Sequence, residues 1–140
     1  ISRDEFFSIE ADIFIPAALE NQVGPREAEN LKVRLVAEGA NGPVNPDGEK
    51  ILMKRGIDIL PDVLANSGGV TVSYYEWVQN NRSESWTLEE VDARLETTMR
   101  RTYRKVREVV RQHRCSPRIA AYAVALRRLM AGYNGRQIFP

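Results

Sequence analysis

A chain of 140 residues, 43% hydrophobic and 28% charged, has the make-up of a soluble globular domain, and its formal net charge of +1 excludes a bulk field for nucleic acid or an anionic membrane surface. One domain with a real core fits this length, which is small for a complete enzyme that binds both a cofactor and a substrate. Because the first residue is Ile1 rather than methionine, the chain reads as a fragment or a processed product.

"SRDE" at Ser2 to Glu5 has the form of a capping box and predicts a short helix through Phe6, Phe7 and Ile9. Ile13, Phe14 and Ile15 then form a compact apolar run stopped by Pro16, expected as a strand buried on both faces. "GPREAENL" predicts a helix with Pro25 in its first turn, followed by a second strand of Val33, Leu35, Val36 and Ala37. A loop of Gly39, Asn41, Gly42 and Pro43 leads to a third helix, apolar at Ile51, Leu52 and Met53 and stopped by Gly56. "IDILPDVL" is the third strand, closed by Pro61.

Strand alternating with helix predicts an α/β fold with right-handed crossovers feeding a parallel sheet. In open sheets of this kind ligands bind beyond the carboxyl ends of the strands, and each strand here runs into a turn-rich segment: "PAALENQ", "EGANGP" and "PDVLANSGG".

From Trp86 onward the pattern is helical. Thr87 caps a long helix with apolar positions Leu88, Val91, Leu95, Met99, Thr102, Val106 and Val109. Ser116 and Pro117 open a second, with Ile119, Ala123, Leu126, Met130 and Tyr133 expected on its buried face. The two predict an antiparallel hairpin. The basic run "RRTYRKVREVVRQHR" belongs to the solvated arc of the first of these helices, so no nucleic-acid partner is expected.

A single cysteine, Cys115, with a single histidine, His113, allows no internal disulfide and gives no expectation of a metal site or a Cys/His catalytic pair. No run approaches the ~20 apolar residues of a membrane span, and the N-terminus lacks a signal-peptide profile. A cytoplasmic protein with no membrane partner is expected.

"LANSGGVTVSYYEW" reads as a helix opening on a glycine pair. Asn66, Gly69 or Val70, Ser73 and Trp77 recur at helical spacing and are expected on one face. The glycines either admit a ligand to the free N–H groups of the first turn or permit close helix-to-strand packing. Ser73 either donates to that ligand or bonds back to a carbonyl one turn earlier.

"ADIFIPAALENQ", "VAEGANGPVNPDGEKIL" and "ILPDVLANSGGVTVSYYEWVQN" closely resemble, in order and in register from about Ile1 to Asn80, the C-terminal nucleotide-binding part of glutamate dehydrogenases in the Glu/Leu/Phe/Val dehydrogenase family. The closing "RQIFP" is similar to that family's tail. The resemblance implies a partial dinucleotide-binding domain. Residues 1–80 would be the βα units of the second half of a Rossmann-like sheet, and residues 81–140 the C-terminal helices. It implies NAD or NADP as cofactor, with Pro16, Ala17 and Ala18 lining the nicotinamide-ribose side and Asn41 in the cofactor loop. Asn66 would lie near the nicotinamide, with Gly68 and Gly69 opening the helix beside it. Val70 would line the substrate pocket and Ser73 would bond the distal carboxylate of glutamate.

By the same resemblance the complete enzyme interconverts L-glutamate with 2-oxoglutarate and ammonia and is a homo-oligomer, a hexamer. The family's catalytic lysine and aspartate belong to an N-terminal domain that nothing here matches, nor is there a G-x-G-x-x-G fingerprint. The isolated chain is therefore expected to be inactive, with an unpaired sheet edge that favours association. The rival readings are an interaction module derived from such a half-domain, and a basic helical nucleic-acid binder over residues 98–114.

Overall fold

A computed structural model of the chain describes residues 1–136, so Gln137 to Pro140 of the family-like tail lie outside the described residues. The chain forms two compact units, Ile1–Ser67 and the segment from Gly68 onward.

The first unit holds three parallel strands, β1 (Ile13–Phe14), β2 (Leu35–Ala37) and β3 (Asp58–Leu60), in the order β1-β2-β3. Phe14 pairs with Val36, and Val36 with Ile59. Helices α1 (Arg3–Phe7), α2 (Pro25–Asn30), α3 (Pro46–Lys54) and α4 (Asp62–Ala65) precede, join and follow the strands. Parallel strands require such crossovers, and prolines at the first turn of α2 and α3 are preset for helical φ. Ser2 and Glu5 form the expected capping box, and Asn45 Oδ1 caps α3 by accepting from the Gly48 N–H at 2.8 Å. Gly56, at φ +75°, ends α3 as expected. Val23, Ala28, Leu31, Val36, Val44, Leu52 and Ile59 form the buried core.

The expectation of a first strand buried on both faces does not hold. Ile13 and Ile15 are 53% and 60% exposed. Side chains alternate along a strand: Phe14 turns towards Phe6 and Phe7, with ring centroids 6.1 and 5.6 Å away, while Ile13 and Ile15 point to the other side of an edge strand. Val33 lies just outside β2 but packs on the core.

The second unit holds α5 (Gly68–Arg82), α6 (Leu88–His113) and α7 (Pro117–Arg136). Thr87 and Glu90 form a capping box at α6, and Ser116 Oγ accepts from the Ile119 N–H at 3.2 Å. The Tyr75 hydroxyl ties α5 to α6 through Thr98 at 2.9 Å and the Arg94 carbonyl at 3.2 Å.

The face expected to be buried on α7 is exposed instead: Ile119, Leu126, Met130 and Tyr133 are each 57–63% exposed. Ala120 and Ala121, with Pro117 at the helix start, are buried on α7, as Val106 and Val109 are on α6, with which α7 pairs. Small residues let the two helix backbones approach, so residue size decides the contact face where hydrophobic spacing alone does not.

Candidate functional site

All three strands run parallel, so their carboxyl ends share one edge of the sheet, and the segments that leave them are hydrogen-bonded together. The Ala40 N–H donates to the Pro16 carbonyl at 2.9 Å, joining the loop after β2 to the loop after β1. Gly39 sits where a Cβ would stand 3.0 Å from the Ala17 Cβ, so this approach of two loops needs the missing side chain. Ala18 is exposed on the same loop as Pro16 and Ala17.

Asn66 completes the arrangement. Its Nδ2 donates to Asn41 Oδ1 at 2.8 Å and lies 3.4 Å from the carbonyls of both Gly39 and Ala40. Three oxygen acceptors around one nitrogen set the orientation of the Asn66 amide. Pro16, Ala17, Asn41 and Asn66 are thereby gathered at the strand ends within one unit, and Asn41 is exposed and open to a ligand.

Asn66 is nonetheless not on the face of the glycine-led helix, where the spacing placed it. It caps the C-terminus of the one-turn helix α4, and Gly68 starts a new helix. The Ser67 hydroxyl donates to the Leu64 carbonyl at 2.8 Å at this break. A side-chain bond of that kind competes with helix continuation.

In the second unit, Gly68, Gly69, Val70 and Ser73 occupy the first two turns of α5. A Cβ added at Gly69 would meet nothing within 4 Å, so packing does not explain that glycine. The Ser73 hydroxyl is exposed and donates to the Gly69 carbonyl at 3.2 Å. Of the alternatives for Ser73, the back-bond is the one formed here, and Gly69, Val70 and Ser73 all lie open.

Two carboxylates also belong to the strand-end cluster although the sequence pattern does not single them out. Glu38 directly follows β2 and is fully buried, and its Oε2 accepts from the Asp62 N–H at 2.7 Å; Asp62 Oδ2 accepts from the Gly42 N–H at 2.8 Å. The available signal is a charged residue directly after an apolar strand, together with a proline-aspartate pair opening the next helix.

An open depression of about 740 Å³ lies elsewhere, at the amino ends of the strands, lined by Asp12, Arg34, Arg55 and Asp58 among others. Its Arg34–Asp12 pair, at 3.8 Å, is almost wholly solvated and imposes no fixed geometry. Among the described residues no cluster of three or more His, Cys, Asp or Glu side chains could hold a metal ion, and no helix is long and apolar enough to cross a membrane.

Residues 1–136 match the family described as Glutamate/Leucine/Phenylalanine/Valine dehydrogenase. The chain is 44% identical over 129 residues to the cryptic catabolic NAD-specific glutamate dehydrogenase of Bacillus subtilis, an alignment covering 92% of this chain and 30% of that protein. Among solved structures, glutamate dehydrogenase from Peptoniphilus asaccharolyticus aligns with a TM-score of 0.83 at 42% identity, over 87% of this chain and 31% of its own. The hetero-hexameric glutamate dehydrogenase from Thermus thermophilus, in its Leu-bound form, aligns with a TM-score of 0.90 at 33% identity, over 100% of this chain and 34% of its own. The chain thus spans about a third of the length of the relatives it matches.

Proposed function

This chain belongs to the glutamate/leucine/phenylalanine/valine dehydrogenase family, and from that premise we propose that it furnishes the cofactor-side and part of the substrate-side surface of a glutamate dehydrogenase. The complete protein would interconvert L-glutamate with 2-oxoglutarate and ammonia, using NAD or NADP, as a cytoplasmic hexamer. The nicotinamide, when bound, accepts the hydride from the amino acid's α-carbon.

The observation that carries this reading is the Asn41–Asn66 amide pair at the carboxyl ends of three parallel strands, the place where open α/β sheets bind ligands. Amides supply both donors and acceptors, which suits the carboxamide and ribose hydroxyls of a dinucleotide. Pro16, Ala17 and Ala18 would form an uncharged wall on that side. The close approach at Gly39 leaves two loops side by side as a backbone surface against which a flat ring can lie.

Gly68 and Gly69 would admit the ligand to the opening turn of α5, where N–H groups point outward. Val70 would give an apolar contact to the substrate's side chain. The Ser73 hydroxyl, now donating to the Gly69 carbonyl, can turn its hydrogen to a carboxylate. A charge-assisted bond then replaces a neutral one, about twice as strong. Selection for glutamate over an aliphatic amino acid would follow from that hydroxyl and from the "EGANGP" loop, since the leucine, phenylalanine and valine enzymes look different at both.

The test uses the complete protein that contains this segment, supplied with glutamate and NAD or NADP, with reduced cofactor followed by absorbance. Ser73→Val is expected to abolish turnover of glutamate while cofactor binding is kept. Absence of turnover with any amino acid and either cofactor would give the lead to the interaction-module reading.

A further inference from the structure

The roles above leave Glu38 and Asp62 without a function, yet both are built into the strand-end cluster. A fully buried carboxylate such as Glu38 is costly unless hydrogen-bonded, and its Oε2 accepts from the Asp62 N–H at 2.7 Å, the start of α4. Asp62 then uses both of its own oxygens. Oδ1 accepts from the Val63 N–H and Oδ2 from the Gly42 N–H, each at 2.8 Å.

Gly42 has φ +54°, and a Cβ there would meet nothing within 4 Å, so its glycine answers to backbone conformation and not to space. Its carbonyl accepts from the Asn21 N–H at 2.8 Å. The one-turn helix α4 therefore grips the loop after β2 from both of its ends. Asp62, at its start, holds Gly42, and Asn66, at its close, holds Gly39, Ala40 and Asn41.

We propose that Asp62, seated on the buried Glu38, is a positioning residue that fixes the Gly39–Pro43 loop so that the Asn41 and Asn66 amides meet the cofactor in one orientation. The inference rests on the reading of Asn41 and Asn66 as cofactor-side groups. An aspartate is required because two backbone N–H groups need two acceptor oxygens; asparagine has the same size but turns an NH₂ donor onto one of them.

The experiment is a double-mutant cycle in the complete protein, with Asp62→Asn, Asn66→Ala and their combination assayed with glutamate and NAD or NADP. Asp62→Asn is expected to lower kcat/KM for the cofactor about tenfold, as loss of a supporting hydrogen bond does at other sites. The double variant is expected to be no worse than Asn66→Ala alone, because the orientation Asp62 secures is already lost. A merely structural role would instead lower the melting temperature in Asp62→Asn and make the two losses multiply.

Multiplying losses, or an Asp62→Asn enzyme with unchanged cofactor kinetics, would overturn the inference alone. Unchanged cofactor kinetics in Asn66→Ala would overturn the site reading, and the inference with it. Where Asp62→Asn does not fold, Asp62→Ser carries the same cycle, since its hydroxyl stays beside the Val63 N–H but cannot reach Gly42.

Discussion

Gly48 and Gly69 are both helical glycines with opposite reasons for being there. At Gly48 a Cβ would stand 2.6 Å from the Val23 carbonyl oxygen, which is backbone and cannot step aside cheaply. Gly48→Ala is expected to destabilise by about 1–3 kcal/mol in urea unfolding, although alanine favours a helix by ~1 kcal/mol. Gly69→Ala meets open space, so its stability should hold or rise by up to ~1 kcal/mol, while cofactor or substrate affinity of the complete protein falls if the ligand approaches there. Glu27 carries a pH dependence. Partial burial pushes its carboxyl up, but hydrogen bonds from Arg3, its own N–H and the Gly24 N–H prevail and hold it below the ordinary 4.5. A depressed carboxylate stabilises the fold above its unfolded value, and that contribution is lost as pH falls through the folded one. Below about pH 4.5 the first unit should therefore lose stability, and Glu27→Gln should flatten that part of the curve in thermal melts.

At the scale of elements, the starts of helices were legible because their causes are local. Ser2 with Glu5, Asn45 with Gly48, and Thr87 with Glu90 bond within three residues, and Ser2 and Thr87 stand out in the sequence as caps, whereas Asn45 is not singled out. Thr87→Ala removes the acceptor for the Glu90 N–H and is expected to cost about 1 kcal/mol of helix stability, read from the thermal midpoint. The start of α5 at Gly68 was legible in the glycine pair, but the one-turn helix α4 before it was not. The period of the apolar residues runs through it, and only the Ser67 bond to Leu64 and the reach of Asn66 to the neighbouring loop show why the helix stops. The α7 face was misread for a related reason. Periodicity finds a stripe of large apolar side chains, but it is Ala120 and Ala121 that are buried on α7, as Val106 and Val109 are on α6, with which it pairs.

For the whole molecule, the sheet order leaves β1 and β3 as outer strands, and Ile13 on β1 and Ile15 just after it stand exposed. Exposed apolar strand edges template pairing with another chain. The isolated 140-residue chain is expected to self-associate in sedimentation, and a clean monomer would count against that. Leu52 lies fully buried in the first unit, and Leu52→Ala is expected to cost about 2–5 kcal/mol in urea unfolding. What the sequence by itself determined was the alternation of strand and helix, the helix caps, the three strand-end loops and the family, since each of these is written in neighbouring residues. Tertiary structure alone decided that Ile13 and Ile15 stay exposed, that α7 turns its alanines inward, and that Asn66, Asn41, Asp62 and Glu38 meet. Those outcomes depend on which surface arrives opposite a residue from another element, 20 to 25 positions away in the strand-end cluster, and no local spacing carries that information.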